Sequence, residues 1–386
     1  MPRSITRWGL LAGCVMLGSV ATANAADLKL GVDLSLTGGT DDFGRGARMG
    51  IEMAVKEYNA HGGYQGKPVE IVMYDDETKP AKGIENLTRL ITRDKVFTVI
   101  GPANSGVALA MIDIAQKQKV PLMVPLPTSE PIIARYSKEP KHYIYRVTLN
   151  DGIQTQFIID YIKKHGLKRI GLVNDSTGWG QSGRETAIRL LKQAGIELAA
   201  EPQVFDQNDT DMTAQLSKLR DANVDFIVSY SLAPAGVQIA RSMQKIGMKT
   251  PWSGTWGVLA PNFLKLGGKE AAEGVMGVTS YTVDHSDKAR AFHARVEEAY
   301  KDQGGDFFPV TTAQAYDATR LVLKALEKSG PDPVKLRDAL ETIDDYNEAV
   351  TKMHPHPFTN DNHEALGADT GFLAIWRDGK VYRVTD

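Results

Sequence analysis

Residues 96–118 read VFTVIGPANSGVALAMIDIAQKQ. An apolar run, VFTVI, meets a glycine-rich turn, GPANSG at 101–106, which opens onto the helix-like stretch VALAMIDIAQKQ. A buried strand passing through a tight turn into a helix is the building unit of a parallel sheet with crossover helices. Free backbone N–H groups gather at a helix N-terminus, so such a turn can cradle a phosphate, build an oxyanion hole or grip a carboxylate.

The same unit recurs on both sides. LKLGVDLSL precedes a helix carrying Ile51, Ala54, Val55 and Tyr58 on one stripe; VEIVMYDD, the helix AKGIENLTRLITRD and, beyond the opening stretch, PLMVPL complete a first βα series. The pattern restarts at IQTQFIIDYIKKHG and RIGLVND. A helix with Ala187, Leu190, Leu191 and Ala194 on one face follows, then EPQVFD, TDMTAQLSKLRDAN, DFIVSYSL, GVQIARSMQKIG and TPWSGTWG. Beyond residue 281 three helical stretches follow one another almost without strands, so they are expected to pack on one of the two sheets. The tail GFLAIWRDGKVYRV alternates around Asp378-Gly379, a hairpin signal. The expected fold is α/β, with two doubly wound parallel-sheet lobes and a hinged cleft between them.

Composition bounds the function. The 386 residues are 42% hydrophobic and 24% charged with a formal net charge of −2, ordinary globular values with room for two cores. Acids and bases are interspersed, which argues against a nucleic-acid or anionic-membrane partner. MPRSITR, the apolar WGLLAGCVMLGSVA and the small-x-small ANA at 23–25 form an export signal, with cleavage expected after Ala25. LAGC ending at Cys14 offers a lipoprotein alternative, but its apolar core would be too short. Cys14 is the sole cysteine, so the mature chain offers no disulfide, thiolate metal site or cysteine nucleophile.

Several motifs carry competing chemistry. GWGQSG at 178–183 matches a dinucleotide fingerprint, but NDSTG separates the strand from Trp179 and the indole would occupy the pyrophosphate's ground; it reads better as a binding loop projecting Trp179. HPHP at 354–357 with His363 reads as an irregular crossover loop rather than a metal clamp, and the acids of YDDETKP at 74–80 as solvated strand-end residues. Neither a P-loop nor a nucleophile elbow occurs, and no cofactor or metal is called for. GPANSG remains, and one strand later VPLPTSEP repeats its arrangement with Thr128 and Ser129. Two neighbouring strand ends offering hydroxyls and amides without Lys or Arg suit a carboxylate better than a phosphate. A hydrolase using Ser105 as nucleophile lacks an assignable base.

The ordered set KLGVDLSLTGGTDDFGRGARMGIEMAVKEYNAHGG, VEIVMYDDETKPAKG, FTVIGPANSG and PLMVPLPTSEP resembles the type I periplasmic solute-binding proteins of ABC importers, in the branch of the leucine/isoleucine/valine-binding proteins. The resemblance covers essentially the whole mature chain. It implies a periplasmic monomer that hands a small ligand to an inner-membrane permease and its ATPase subunits. It also implies three crossovers, placed near Thr148, Ser280 and Pro355, giving a signal over 1–25, an N-terminal lobe of 26–148 and 281–355, and a C-terminal lobe of 149–280 and 356–386. By the same resemblance the Ser105 hydroxyl and the Thr128 hydroxyl and amide hold a carboxylate, and Leu126 supplies a carbonyl. Phe43 and Trp179 close over the ligand from opposite lobes. Ala103 and Asn104 beside Ser105, and Tyr230 beside Leu232, complete the expected lining. Two positions depart from the amino-acid binders. Trp256 stands where they carry a glutamate for the α-ammonium, and Leu232 where they carry a tyrosine. A buried ammonium needs an anion, so an aromatic or hydrophobic carboxylate is expected. An amino acid paired with Asp284 or another acid is the alternative.

Overall fold

The computed structural model describes Met1, residues 28–303 and residues 307–385; Cys14 and the cleavage site expected after Ala25 lie outside them. β1 (Leu28–Leu34) leads into α1 (Asp41–Ala60), β2 (Val69–Asp75) into α2 (Pro80–Arg89), and β3 (Val99–Ile100) into α3 (Ser105–Gln118). β4 (Leu122–Val124) leads into the single turn α4 (Pro131–Ala134), and β5 (Ile144–Arg146) completes a parallel sheet of order β2-β1-β3-β4-β5. The chain then crosses to a second series: α5 (Asp151–Lys164), β6 (Ile170–Asp175), α6 (Gly178–Gln193), β7 (Gln203–Phe205) and α7 (Thr213–Asp221). β8 (Phe226–Tyr230), α8 (Ala233–Lys245), β9 (Trp252–Thr255), α9 (Pro261–Ala272) and β10 (Met276–Thr279) continue it. Next come α10 (Asp287–Tyr300), α11 (Pro309–Ser329) and α12 (Pro333–Leu340), and the hairpin β11 (Phe372–Arg377) and β12 (Lys380–Arg383) ends the second sheet, order β12-β11-β10-β9-β8-β6-β7.

The fold is thus α/β with two largely parallel sheets. Strand interiors such as Leu30, Val32 and Leu34 are wholly buried because crossover helices cover both faces. On α1 the stripe Ile51, Ala54 and Val55 is buried, with Tyr58 at its rim. The late helices return to the first sheet: Tyr300 donates to the Met49 carbonyl of α1, and Tyr145 of β5 donates to the Arg337 carbonyl of α12. The terminal hairpin turns through Asp378 and Gly379, with φ of 51° and 79°, the pair of left-handed residues that a type I′ turn needs.

Three sequence expectations change. GWGQSG is not a loop: Thr177 caps α6 by accepting from Gly180 N, and Trp179 sits in the first helical turn. Asp76 of YDDETKP is not solvated; it is fully buried and accepts from the Ser35 hydroxyl at 2.6 Å. The HPHP stretch, by contrast, is irregular as expected; beyond it His363 is buried, facing the Ile144 carbonyl and Glu341, while His354 reaches Asp369. The third crossing also falls later than Pro355. Residues 363–365 run along the edge of β5, where Arg146 N donates to the His363 carbonyl and Ala365 N to the Arg146 carbonyl. The chain enters the second sheet only between Leu366 and Phe372. Pairing along the edge of β5 gives partners to backbone groups on both segments.

Arg146 anchors this edge. Its guanidinium is wholly buried, pairs with Glu364 (Nε to Oε2 2.7 Å) and donates to the Ser129 carbonyl at 2.8 Å, steadying the loop that carries Thr128. Removing one partner of a buried pair strands the other charge, so Glu364→Ala is expected to lose about 3–5 kcal/mol of unfolding free energy. Urea unfolding measures this, and a loss below about 1 kcal/mol would show that solvent replaces the carboxylate.

Candidate functional site

The carboxyl ends of both sheets face one another across the cleft, where open α/β sheets bind ligands. From the first sheet come Thr40 and Phe43 after β1, Ala103, Asn104 and Ser105 after β3, and Leu126, Pro127 and Thr128 after β4. The second sheet contributes Trp179 after β6, Leu232 after β8, and Thr255, Trp256 and Gly257 at the end of β9. Together they enclose a cavity of about 30 Å³. That is room for roughly one or two water molecules, whereas ligand pockets usually measure about 300–1,000 Å³. The lobes are closed on each other, and admitting a ligand requires them to part or the aromatic side chains to move.

Local chemistry places each group. Gly101, at φ +134°, lets the chain turn off β3 where a Cβ would stand 1.9 Å from the Asp33 carbonyl oxygen. Asn104 then caps α3, its Oδ1 accepting from Gly106 N at 2.8 Å and Val107 N at 3.4 Å. Capping therefore belongs to Asn104, and Ser105 is released from it. The Ser105 hydroxyl reaches across to the next strand end, where its oxygen accepts from Thr128 N at 3.1 Å and Ser129 N at 3.4 Å. This corrects the sequence picture of a free Thr128 amide: that N–H is already engaged, and what the pair presents to the cleft is two hydroxyl protons.

Trp179 differs too from a flat wall. Its indole Nε1 donates to Thr128 Oγ1 at 3.0 Å, a hydrogen bond between lobes. The lobes are also joined by Thr186 Oγ1 donating to Glu130 Oε2 at 2.8 Å, and by Asn262 Nδ2 donating to Asp42 Oδ2 at 2.8 Å. Burial between the lobes pushes Asp42 up to about 6. At the opposite end Phe43 meets Trp256 with centroids 4.8 Å apart, and Phe308 packs on both at 5.8 and 5.7 Å. The Trp256 indole Nε1 is buried without a hydrogen-bond partner. Leu232 lies against Gly257.

Nine of the ten residues expected from sequence meet at this cavity: Phe43, Ala103, Asn104, Ser105, Leu126, Thr128, Trp179, Leu232 and Trp256. Tyr230 does not. It lies behind Trp179, ring centroids 5.7 Å apart, with its hydroxyl 2.6 Å from that of Thr155. Gly183 makes room for it, since a Cβ there would stand 2.1 Å from the Tyr230 ring. Being the last residue of β8, Tyr230 points into the α5–α6 layer, and the residue that faces the cleft comes two positions later. Asp284 also lies elsewhere, on a separate groove beside Thr282 and His293. Sequence reading missed Thr40, Pro127, Thr255 and Gly257. Thr40 carried a legible signal, since it stands directly before the acidic first turn of α1.

Replacing Ser105 by alanine would leave the buried amides of Thr128 and Ser129 unpaired. We expect a loss of about 1–3 kcal/mol of unfolding free energy, measured by urea titration without ligand. An unchanged midpoint would mean that those amides have another partner.

A family model described as periplasmic binding protein matches residues 27–380. The leucine-, isoleucine-, valine-, threonine- and alanine-binding protein of Pseudomonas aeruginosa is 26% identical over 337 residues, spanning 86% of this chain and 87% of that protein. The solved substrate-binding protein LivJ of Streptococcus pneumoniae, in complex with isoleucine, superposes with a TM-score of 0.80 at 25% identity, covering 92% of this chain and 97% of that one. A solute-binding protein of an ABC transporter from R. palustris, in complex with benzoate, shares the fold at a TM-score of 0.77 and 21% identity, covering 93% and 95%. With two facing sheets, a cleft at their carboxyl ends and a match along nearly its whole described length, the chain belongs to the type I periplasmic binding proteins, in the branch of the leucine/isoleucine/valine-binding proteins.

Proposed function

We propose that the chain is the exported substrate-binding subunit of an ABC importer and that its cleft holds a small carboxylate without an α-ammonium, preferably aromatic or hydrophobic. One observation carries this reading: among the described residues, none of the side chains lining the cavity is ionisable. The Ser105 and Thr128 hydroxyls can donate to a carboxylate at one end. At the other, Phe43 and Trp256 offer rings, backed by Phe308, and the unpaired Trp256 indole N–H is a donor only, of no use to an ammonium. An α-amino acid would shed water from its ammonium and find no lining anion. The ligand's delivery falls to a separate permease with its own ATPase subunits. The chain itself carries no P-loop, and its Ser105 oxygen faces two backbone amides rather than a base.

A second reading, an amino-acid ligand, is favoured by two of the relatives named above, the Pseudomonas aeruginosa amino-acid-binding protein and LivJ with its isoleucine. The two separate in a thermal-shift panel. Benzoate or a phenyl-substituted acid at a hundred times its Kd should add about 2.7 kcal/mol of stability, while leucine, valine and phenylalanine leave the melting temperature unmoved. Micromolar leucine binding with no response to any aromatic acid would replace the first reading by the second.

A further inference from the structure

Asp151 opens α5, immediately after the first crossing between lobes. It is fully buried, and both of its carboxyl oxygens lack a hydrogen bond of ordinary geometry. Its backbone N–H donates to the Thr128 carbonyl at 2.8 Å, and its carboxyl lies against the Thr128 hydroxyl and the Trp179 indole N–H. An acid with unpaired oxygens directly behind the hydroxyl that serves the ligand is costly to bury, and neither packing nor capping explains it, since Asn150 is the residue that caps α5.

We propose, building on the carboxylate reading, that Asp151 is a positioning residue whose protonation lets Thr128 grip an anionic ligand, so that each carboxylate enters the cleft together with one proton taken from solvent. A hydroxyl has one proton to donate and two lone pairs. One lone pair of Thr128 Oγ1 already accepts from Trp179. With Asp151 ionised, the Thr128 proton turns back towards it, leaving nothing for the ligand, and two negative charges face each other across one oxygen. With Asp151 protonated, its O–H fills the second lone pair and the Thr128 proton is free for the ligand carboxylate.

The surroundings poise the acid for this exchange. Burial raises it to about 7, against the Thr128 hydroxyl, the Arg146 guanidinium and the Trp179 indole, which lower it; Glu130 adds a smaller upward push. Of the charged neighbours, Arg146 is paired with Glu364 and Glu130 with Arg189. Tyr230, the other titratable group facing Asp151, is itself held well above its ordinary range by burial. A bound anion would raise Asp151 further, so binding takes up protons wherever the free acid is ionised.

The test is calorimetric titration of the full protein with benzoate, which stays ionised throughout, at pH 6 and pH 8 in buffers of different ionisation enthalpy. Affinity should fall about tenfold between the two pH values, with nearly one proton taken up per ligand at pH 8 and almost none at pH 6. Asp151→Asn, whose amide can still donate to Thr128, should bind with an affinity independent of pH and without proton uptake. Benzoate binding to the unmodified protein with no proton uptake at pH 8 overturns the coupling alone, as does undiminished uptake in Asp151→Asn. Failure of benzoate to bind at either pH overturns the carboxylate reading and the coupling with it.

Discussion

A single hydrogen bond, from the Trp179 indole to the Thr128 hydroxyl, connects the two sheets at the candidate cavity. The elements on either side are arranged to make it possible. In the first lobe, Ser105 holds the amides of residues 128 and 129, and buried Arg146 holds the Ser129 carbonyl from behind. In the second, Thr177 caps α6 and turns its first-turn indole inward, with Tyr230 as backing. Neither lobe forms the bond alone. Closure therefore has a fixed target, which is what hinge motion needs if it is to end in one state.

The interior of the cleft divides its labour by chemistry. Hydroxyls gather where two strand ends meet and rings gather opposite, the separate polar and apolar walls that the proposed acid ligand would use. Among the described residues no ionisable side chain lines the cavity itself; in the proposed coupling Asp151 acts through Thr128. Such a neutral lining costs less to desolvate on closing than a charged one would, and it leaves selectivity to hydrogen-bond direction and ring shape.

Much of this was legible in the chain itself. The change from strand-like to helix-like runs revealed an α/β fold because crossover packing makes its strands continuously apolar. Ser105 and Thr128 stood out because hydroxyls at the ends of two neighbouring strands are a local pattern. Pairings between distant residues were not legible. Arg146 and Glu364 lie 218 positions apart, and nothing local announces that the stretch after HPHP lines the edge of β5. Tyr230 was misplaced because alternation along a strand says which residues share a face but not where the strand stops. Asp151 was overlooked because an acid at a helix start is commonplace, and only its burial among Thr128, Trp179 and Arg146 gives it meaning.

The most direct test of the inter-lobe bond is a double-mutant cycle on benzoate affinity, using Trp179→Phe, Thr128→Val and the pair. If the indole and the hydroxyl act as one clamp on the bound carboxylate, the two losses should fall short of additivity by about 0.5–3 kcal/mol, the coupling found for residues in contact. Strictly additive losses would contradict the account, reducing Trp179 to a wall and Thr128 to an independent donor.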